Sequence, residues 1–211
     1  MAWVTGESPT LFCEGIPGAG KTILASIAIE YLRSIQHDNQ SRVAFVYCNY
    51  GRREEQTAER LLATLLRQLA GEYLSIPQSV KNLYDSHEIK KSRPSLENLS
   101  KTLSIISRDA GQVFLVIDAL DECPDDSRRI LLKNIKELQD NSKVRFMATS
   151  RPVESIRKLF VGDVHLEVRA QIADVENYVE NQLMSLHEGV RSDPALQWNI
   201  KKCISEAADG M

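Results

Sequence analysis

Long apolar runs are missing from this sequence: no stretch approaches the roughly 18 residues a membrane helix requires. The opening MAWVTGESPTLFC lacks the basic start and apolar middle of a secretory leader, so none is expected. Cysteine is sparse. Cys13, Cys48, Cys123 and Cys203 lie far apart with no CxxC pair, which argues against a disulfide framework or zinc site and for reduced, buried thiols in an intracellular protein. The histidines, His37, His87, His165 and His187, are scattered and suggest no metal cluster. No charge sign dominates: the net charge is −3 and no long basic run occurs, so no nucleic-acid partner held by phosphate contacts is expected. Internal repeats and low-complexity segments are absent too.

What remains is an ordinary globular composition, 43% hydrophobic and 26% charged, in 211 residues, enough for one α/β domain and a small appendage. Short β-branched runs alternate with helical patterns, the signature of βαβ units around a parallel sheet. Strands are expected at Thr10–Cys13, Arg42–Cys48, Val113–Ile117, Val144–Thr149 and Val164–Val168. Helices are expected at Ile23–Ser34, from the N-cap Thr57 through the leucines at 61, 62, 65, 66 and 69, around Val80–Lys90, at Leu96–Asp109 and through Ile130, Leu131, Ile135 and Leu138. After Ala170 only helix is expected: Val175, Tyr178, Val179, Leu183 and Leu186 make one apolar face, and Leu196, Ile200, Cys203 and Ile204 another. The ending AADGM breaks off in mid-pattern and suggests a longer parent protein. Trp3 and Trp198 are expected to pack, and CNYGRREEQ (48–56) to form a solvated loop.

Residues 15–22 read GIPGAGKT, matching G-x-x-x-x-G-K-[ST], the Walker A pattern. Gly15, Ile16, Pro17, Gly18, Ala19 and Gly20 let the backbone curl so that successive N–H groups point at phosphates. The helix opening through Lys21, Thr22 and Ile23 adds its positive dipole end. Lys21 supplies a mobile charge for the β- and γ-phosphates of a nucleotide, ATP or GTP, and the Thr22 hydroxyl is a ligand for Mg2+. The match follows an apolar strand and precedes a helical run, the context its mechanism requires.

A second pattern, VFLVIDALDEC (113–123), places Asp118 at the C-terminal end of an apolar strand, where open α/β sheets bind ligands. Asp118 suits magnesium, through a water. Asp121 and Glu122 follow within a turn, and either could orient or deprotonate an attacking water while the other serves the metal or a loop. Asp125 and Asp126 are better read as the acidic start of the next helix. A third pattern, VRFMATSRP (144–152), brings Thr149, Ser150 and Arg151 to the same sheet edge, where Arg151 could contact a γ-phosphate or form a salt bridge to a neighbouring carboxylate.

Taken in order, GIPGAGKT, TAERLLATLLRQL, VFLVIDALDEC, FMATSRP, DVENYVENQL and EAADGM resemble the NACHT NTPase module of fungal NOD-like receptor (STAND) proteins, ankyrin-repeat-associated types included, over nearly the whole chain from about Leu11. The resemblance implies a regulated switch: closed with diphosphate, oligomerising after exchange for triphosphate. It implies phosphate and magnesium roles for Lys21 and Thr22, magnesium for Asp118, hydrolysis for Asp121 and Glu122, and γ-phosphate sensing for Arg151. It also implies helical, winged-helix and repeat modules further along the same protein, a cytoplasmic setting, and a part in fungal self/non-self recognition or cell death. Residues 193–211, cut from the following module, would be poorly packed alone.

The expected architecture is a P-loop NTPase, three-layer α/β/α, with a five-stranded, mainly parallel sheet in residues 1–170 and the start of a small helical subdomain in 171–211. Absence of an [NT]-K-x-D element favours ATP. Competing readings are a turnover P-loop NTPase of AAA type, with Arg157 as its trans-acting arginine, or of kinase type, and a binding-only scaffold.

Overall fold

The computed structural model describes every residue except Met1, Glu7, 36–40, Lys90, 170–171, Met184 and 210–211; His37 and the boundary at 170/171 lie outside the described residues. The chain divides into two compact units, Met1–Gly15 with Lys21–Glu167, and Ile16–Gly20 with Val168–Met211.

In the first unit a short helix α1 (Ala2–Thr5) precedes β1 (Thr10–Glu14). Trp3 is buried at 5% exposure, donating its indole N–H to the Pro9 carbonyl (3.2 Å). Helix α2 (Lys21–Ser34) buries Ala25, Ala28, Ile29 and Leu32. It starts two residues before the apolar pattern suggests, because Gly20, at φ 92°, ends the preceding turn immediately ahead of it. Strand β2 (Ser41–Tyr47) follows, then a 3-10 turn at Tyr50–Glu55. The segment is exposed, as a solvated loop should be, but it is ordered as a turn: Asn49 accepts from Gly51 N (2.7 Å), and Gln56 bonds both the N–H and the carbonyl of Asn49 (2.9 and 2.8 Å).

Helix α3 (Ala58–Gly71) is capped by Thr57, whose hydroxyl accepts from Arg60 N, and buries all five leucines of the stripe. Helices α4 (Gln78–Glu88) and α5 (Leu96–Asp109, capped by Ser95) lead into β3 (Gln112–Asp118). Pro124 starts α6 (Asp125–Asn141), with Asp125 and Asp126 in its first turn, where its dipole favours negative charge. Strand β4 (Val144–Ser150) is followed by α7 (Glu154–Arg157), for which the sequence reading offered no element, and β5 (Val164–Glu167) closes the sheet.

The strand order is β2-β3-β4-β1-β5, and every neighbouring pair is parallel. Helices α3, α5 and α6 pack on one another over one face, while α2 packs on β2, β3 and β4, giving three layers. Phe12, Leu62, Leu65, Leu103, Leu115, Ile117, Leu131 and Phe146 are buried in the core. Parallel strands covered on both faces read as continuous apolar runs, as β3 does. β2 is an outer strand, and three of its outward backbone groups are paired from within. Gln68 of α3 accepts from Phe45 N (3.1 Å) and donates to Phe45 O (2.8 Å), and Glu72 accepts from Val43 N (3.1 Å).

The second unit carries α8 (Ile172–Leu183), α9 (Glu188–Arg191) and α10 (Pro194–Asp209), with α10 packed on α8 and α9. Val179 and Leu183 are buried, but Tyr178 and Leu186 are exposed; the side chain of Val175 lies outside the described residues. Trp198 is 60% exposed, so its expected packing is corrected. Leu196 and Ile204 are exposed in the same helix.

Candidate functional site

Because all strands run the same way, the C-terminal ends of β1, β3 and β4 gather at one rim of the sheet. β4 lies between β3, which carries Asp118, and β1, which runs into Gly15. Gly15 N donates to Ser150 O (3.1 Å), tying the exit of β1 to the exit of β4. Residues 15–22 then join β1 to α2. Gly18 and Gly20 sit at φ 83° and 92°, a region L side chains rarely adopt. Ala19 N donates to Ile16 O (3.3 Å).

Lys21 donates from Nζ to the Gly15 carbonyl (2.6 Å). Burial lowers its pKa, opposed by the negative charges of Asp121, Asp118 and Glu122 and reinforced by Arg151. The Thr22 hydroxyl donates to Asp118 Oδ2 (2.8 Å), and the Thr149 hydroxyl donates to Asp118 Oδ1 (2.6 Å). Asp118 is 3% exposed, so both carboxylate oxygens are engaged in a dry setting. Thr149 Oγ1 also accepts from Ala119 N (2.9 Å). Ala119 is left-handed, φ 54° and ψ 50°, which a β-branched residue would resist. That kink turns the chain off the strand end and starts the 3-10 turn Leu120–Glu122.

The next two carboxylates are held differently. Asp121 accepts from Arg151 N (3.0 Å) and from Arg151 Nε (2.5 Å). Glu122 accepts from Arg151 Nη2 (3.3 Å) and from Tyr50 N (2.8 Å). Burial pushes the Asp121 carboxyl upward, but the Arg151 N–H and guanidinium outweigh it and hold its pKa below the ordinary value. The hydrogen bond to Asp121 raises the pKa of Arg151 in turn.

The structure thus brings Lys21, Thr22, Asp118, Asp121, Glu122 and Arg151 to one rim, with Arg151 in the salt bridges that were its simpler reading. Asp125 pairs with Arg128 (2.9 Å) and Asp126 with Arg129 (3.4 Å), as helix-start residues. Arg157 forks onto Glu14 through Nε (3.0 Å) and Nη2 (3.1 Å). Three things escaped the sequence reading. Thr149 stood out only as a polar residue at a sheet edge. The Glu14–Arg157 pair spans 143 positions and has no local signal. Cys48 meets the strand end that carries Asp118, its N–H donating to the Asp118 carbonyl (3.0 Å).

The donor set at Thr22 and Asp118 is a hydroxyl and a carboxylate, hard oxygens of the kind magnesium takes while keeping several waters. Among the described residues no group of three or more His, Cys, Asp or Glu gathers as a metal cage. No described helix is long and apolar enough to cross a membrane.

Comparison with known proteins places these features. The family described as Nephrocystin 3, N-terminal matches residues 1–151. Vegetative incompatibility protein HET-E-1 of Podospora anserina is 24% identical over 99% of this chain, which spans 16% of that protein's length. The Orc1 protein of Aeropyrum pernix, solved in complex with DNA, shares 18% identity at a TM-score of 0.57 over 87% of this chain and 46% of its own. Cdc6p of Pyrobaculum aerophilum shares 13% at 0.56 over 85% of this chain and 45% of its own. At such identities the structural likeness establishes the P-loop NTPase fold alone, while the first two matches support a NACHT-type domain.

Proposed function

The chain belongs to the Nephrocystin 3 N-terminal family, and from that premise we propose that it is a nucleotide-controlled switch. It binds a nucleoside triphosphate with magnesium and hydrolyses it slowly, and the bound nucleotide sets its conformation and self-association. The observation that carries this reading is the meeting of Thr22 and Asp118 at 2.8 Å across 96 positions of sequence, at the sheet rim where β1 runs into the GIPGAGKT segment.

In this scheme the backbone of Gly15 through Ile23 cradles the phosphates and Lys21 neutralises the β- and γ-oxygens. Its amine leaves the Gly15 carbonyl to do so, and the negative phosphates favour its charged form. Thr22 and Asp118 hold the magnesium, which when bound offsets charge on the transferring phosphoryl group. Thr149 keeps the Asp118 carboxylate in one orientation. Asp121 or Glu122 orients the attacking water. Glu122 is the better base, because Asp121 is locked to Arg151 by its backbone and side chain and held acidic. Arg151 senses the γ-phosphate by exchanging carboxylate oxygens for phosphate oxygens, a swap its planar fork suits.

ATP is the favoured nucleotide, given the missing [NT]-K-x-D element. Residues 1–170 form the NTPase core and 171–211 begin a helical subdomain, with winged-helix and ankyrin-like repeats further along the parent protein. Likeness to a vegetative incompatibility protein supports a role in self/non-self signalling or cell death, which we place in the cytoplasm on the family resemblance alone. The remodeller alternative would need Arg157 to exchange its Glu14 partner for a neighbouring molecule's phosphate.

Single-turnover hydrolysis tests the reading. Turnover is expected well below the roughly 10 per second typical of enzymes. Lys21→Ala should weaken triphosphate binding by about a hundredfold, the scale of a lost charge-assisted hydrogen bond. Unchanged affinity in that variant overturns the site, and fast, substrate-stimulated turnover overturns the switch.

A further inference from the structure

One peptide unit beside the proposed base is held from both ends. The carbonyl of Asn49 and the N–H of Tyr50 belong to the same peptide plane, just past the end of β2. That carbonyl accepts from Gln56 Nε2 (2.8 Å), and that N–H donates to Glu122 Oε2 (2.8 Å). Gln56 also accepts from Asn49 N through Oε1 (2.9 Å), so its side-chain amide grips both backbone groups of one residue. The Asn49 carbonyl takes a second donor, Arg52 N (3.0 Å), and the Asn49 side chain accepts from Gly51 N (2.7 Å). Gln56 is 9% exposed, which shields this grip from competing water.

The two oxygens of Glu122 are therefore held unequally. Oε2 is fixed by the short bond from the braced peptide, and Oε1 by a longer one (3.3 Å) from Arg151, whose side chain is 46% exposed. When Arg151 turns to a phosphate, Oε1 is the oxygen released to accept a water proton, while Oε2 stays anchored. A carboxylate that takes a proton on one oxygen works best with the other fixed, so that the free oxygen faces the water. Each hydrogen bond in the series from the Gln56 amide through the peptide to the carboxylate also polarises and strengthens the next. We propose that Gln56 is a positioning residue for hydrolysis, which aims Glu122 at the attacking water through the Asn49–Tyr50 peptide. The hydrolytic part of this inference rests on the function proposed above; the bracing of the peptide does not.

Gln68 supplies the control. Its side-chain amide grips Phe45 in the same way, accepting from the N–H (3.1 Å) and donating to the carbonyl (2.8 Å). Phe45, however, lies within β2 at the register of Val116, short of the strand end where Tyr47 meets Asp118. Gln56→Met and Gln68→Met are compared with the parent chain in urea unfolding, single-turnover hydrolysis, triphosphate binding and amide hydrogen exchange at Tyr50. Both variants should lose comparable stability. Only Gln56→Met should slow hydrolysis, by about ten- to a hundredfold, the scale of a misplaced reacting group, with triphosphate affinity kept. The Tyr50 amide should exchange about tenfold faster in Gln56→Met, as a locally loosened contact does, and at the parent's rate in Gln68→Met. Gln56→Glu keeps the acceptor for Asn49 N but loses the donor to the Asn49 carbonyl; it should slow hydrolysis too, and serves if the methionine variant does not fold. Hydrolysis at the parent's rate in Gln56→Met, equal slowing in Gln68→Met, or a matching loss of triphosphate binding overturns the positioning role. Unchanged exchange at Tyr50 in Gln56→Met overturns the brace. A chain that never hydrolyses nucleotide sinks the proposed function instead, and the exchange rate still decides the brace.

Discussion

The inner and outer halves of the rim hold their carboxylates by opposite means. Asp118 is 3% exposed and is oriented by two neutral hydroxyls, Thr22 and Thr149. Asp121 and Glu122 are oriented by one guanidinium, and that Arg151 side chain is 46% exposed. A carboxylate held by hydroxyls keeps its full charge available to a cation, whereas one paired with arginine has it largely neutralised until the arginine leaves. The inner half is therefore built to receive a metal, and the outer half to change partners.

The sharpest way to break this contrast is to neutralise one outer carboxylate. Glu122→Gln should keep triphosphate affinity and lower single-turnover hydrolysis by about 10²–10⁴, the range of a general base. If Asp121→Asn does so and Glu122→Gln does not, the base moves to the residue Arg151 grips hardest. The inner half is tested through Thr149. Thr149→Val removes the donor to Asp118 and the acceptor for Ala119 N, and should weaken magnesium dependence by about tenfold, as loss of a group that orients a metal ligand does. It should also cost about 1–3 kcal/mol in urea unfolding, while Thr149→Ser retains most of both. A smaller effect is expected for Arg151→Lys. An ammonium keeps the charge but not the fork, so preference for triphosphate over diphosphate should drop by less than about tenfold, read by competition binding.

The smallest effect concerns pH. The folded pKa of Asp121 lies below its ordinary 3.8, so the stability it adds is fully present above that value and is lost as pH falls through the lower one. Asp121→Asn should flatten that acid limb of the unfolding curve and leave the curve near neutrality parallel to the parent's.

Much of this could be read from the chain because the chemistry is local. A glycine pattern between a strand and a helix, and an aspartate closing an apolar run, need only a few neighbours to be recognised. The fifth strand and the α5 helix were visible for the same reason, as self-contained periodicities with caps and turn residues at their ends. What could not be read depends on strand order. Nothing in residues 144–150 says that β4 inserts between β1 and β3, yet that insertion alone puts Thr149 on Asp118 and Arg151 on Asp121. Glu14 and Arg157 meet only because parallel strands end on one rim. Tyr178 failed for another reason: it was put on an apolar face by its helical spacing, and it stays 65% exposed; Trp198 was expected to pack on its size alone and stays 60% exposed.

The pairing of Gln68 and Glu72 with Phe45 and Val43 carries a consequence for assembly. A sheet border whose middle amides and carbonyl are already taken from within is a poorer template for another chain to extend. Copies that gather at high local concentration can therefore do so without seeding fibre-like stacking on that side. The protection depends on helix 58–71 being docked, so any unfolding intermediate that releases it would be the aggregation-prone species.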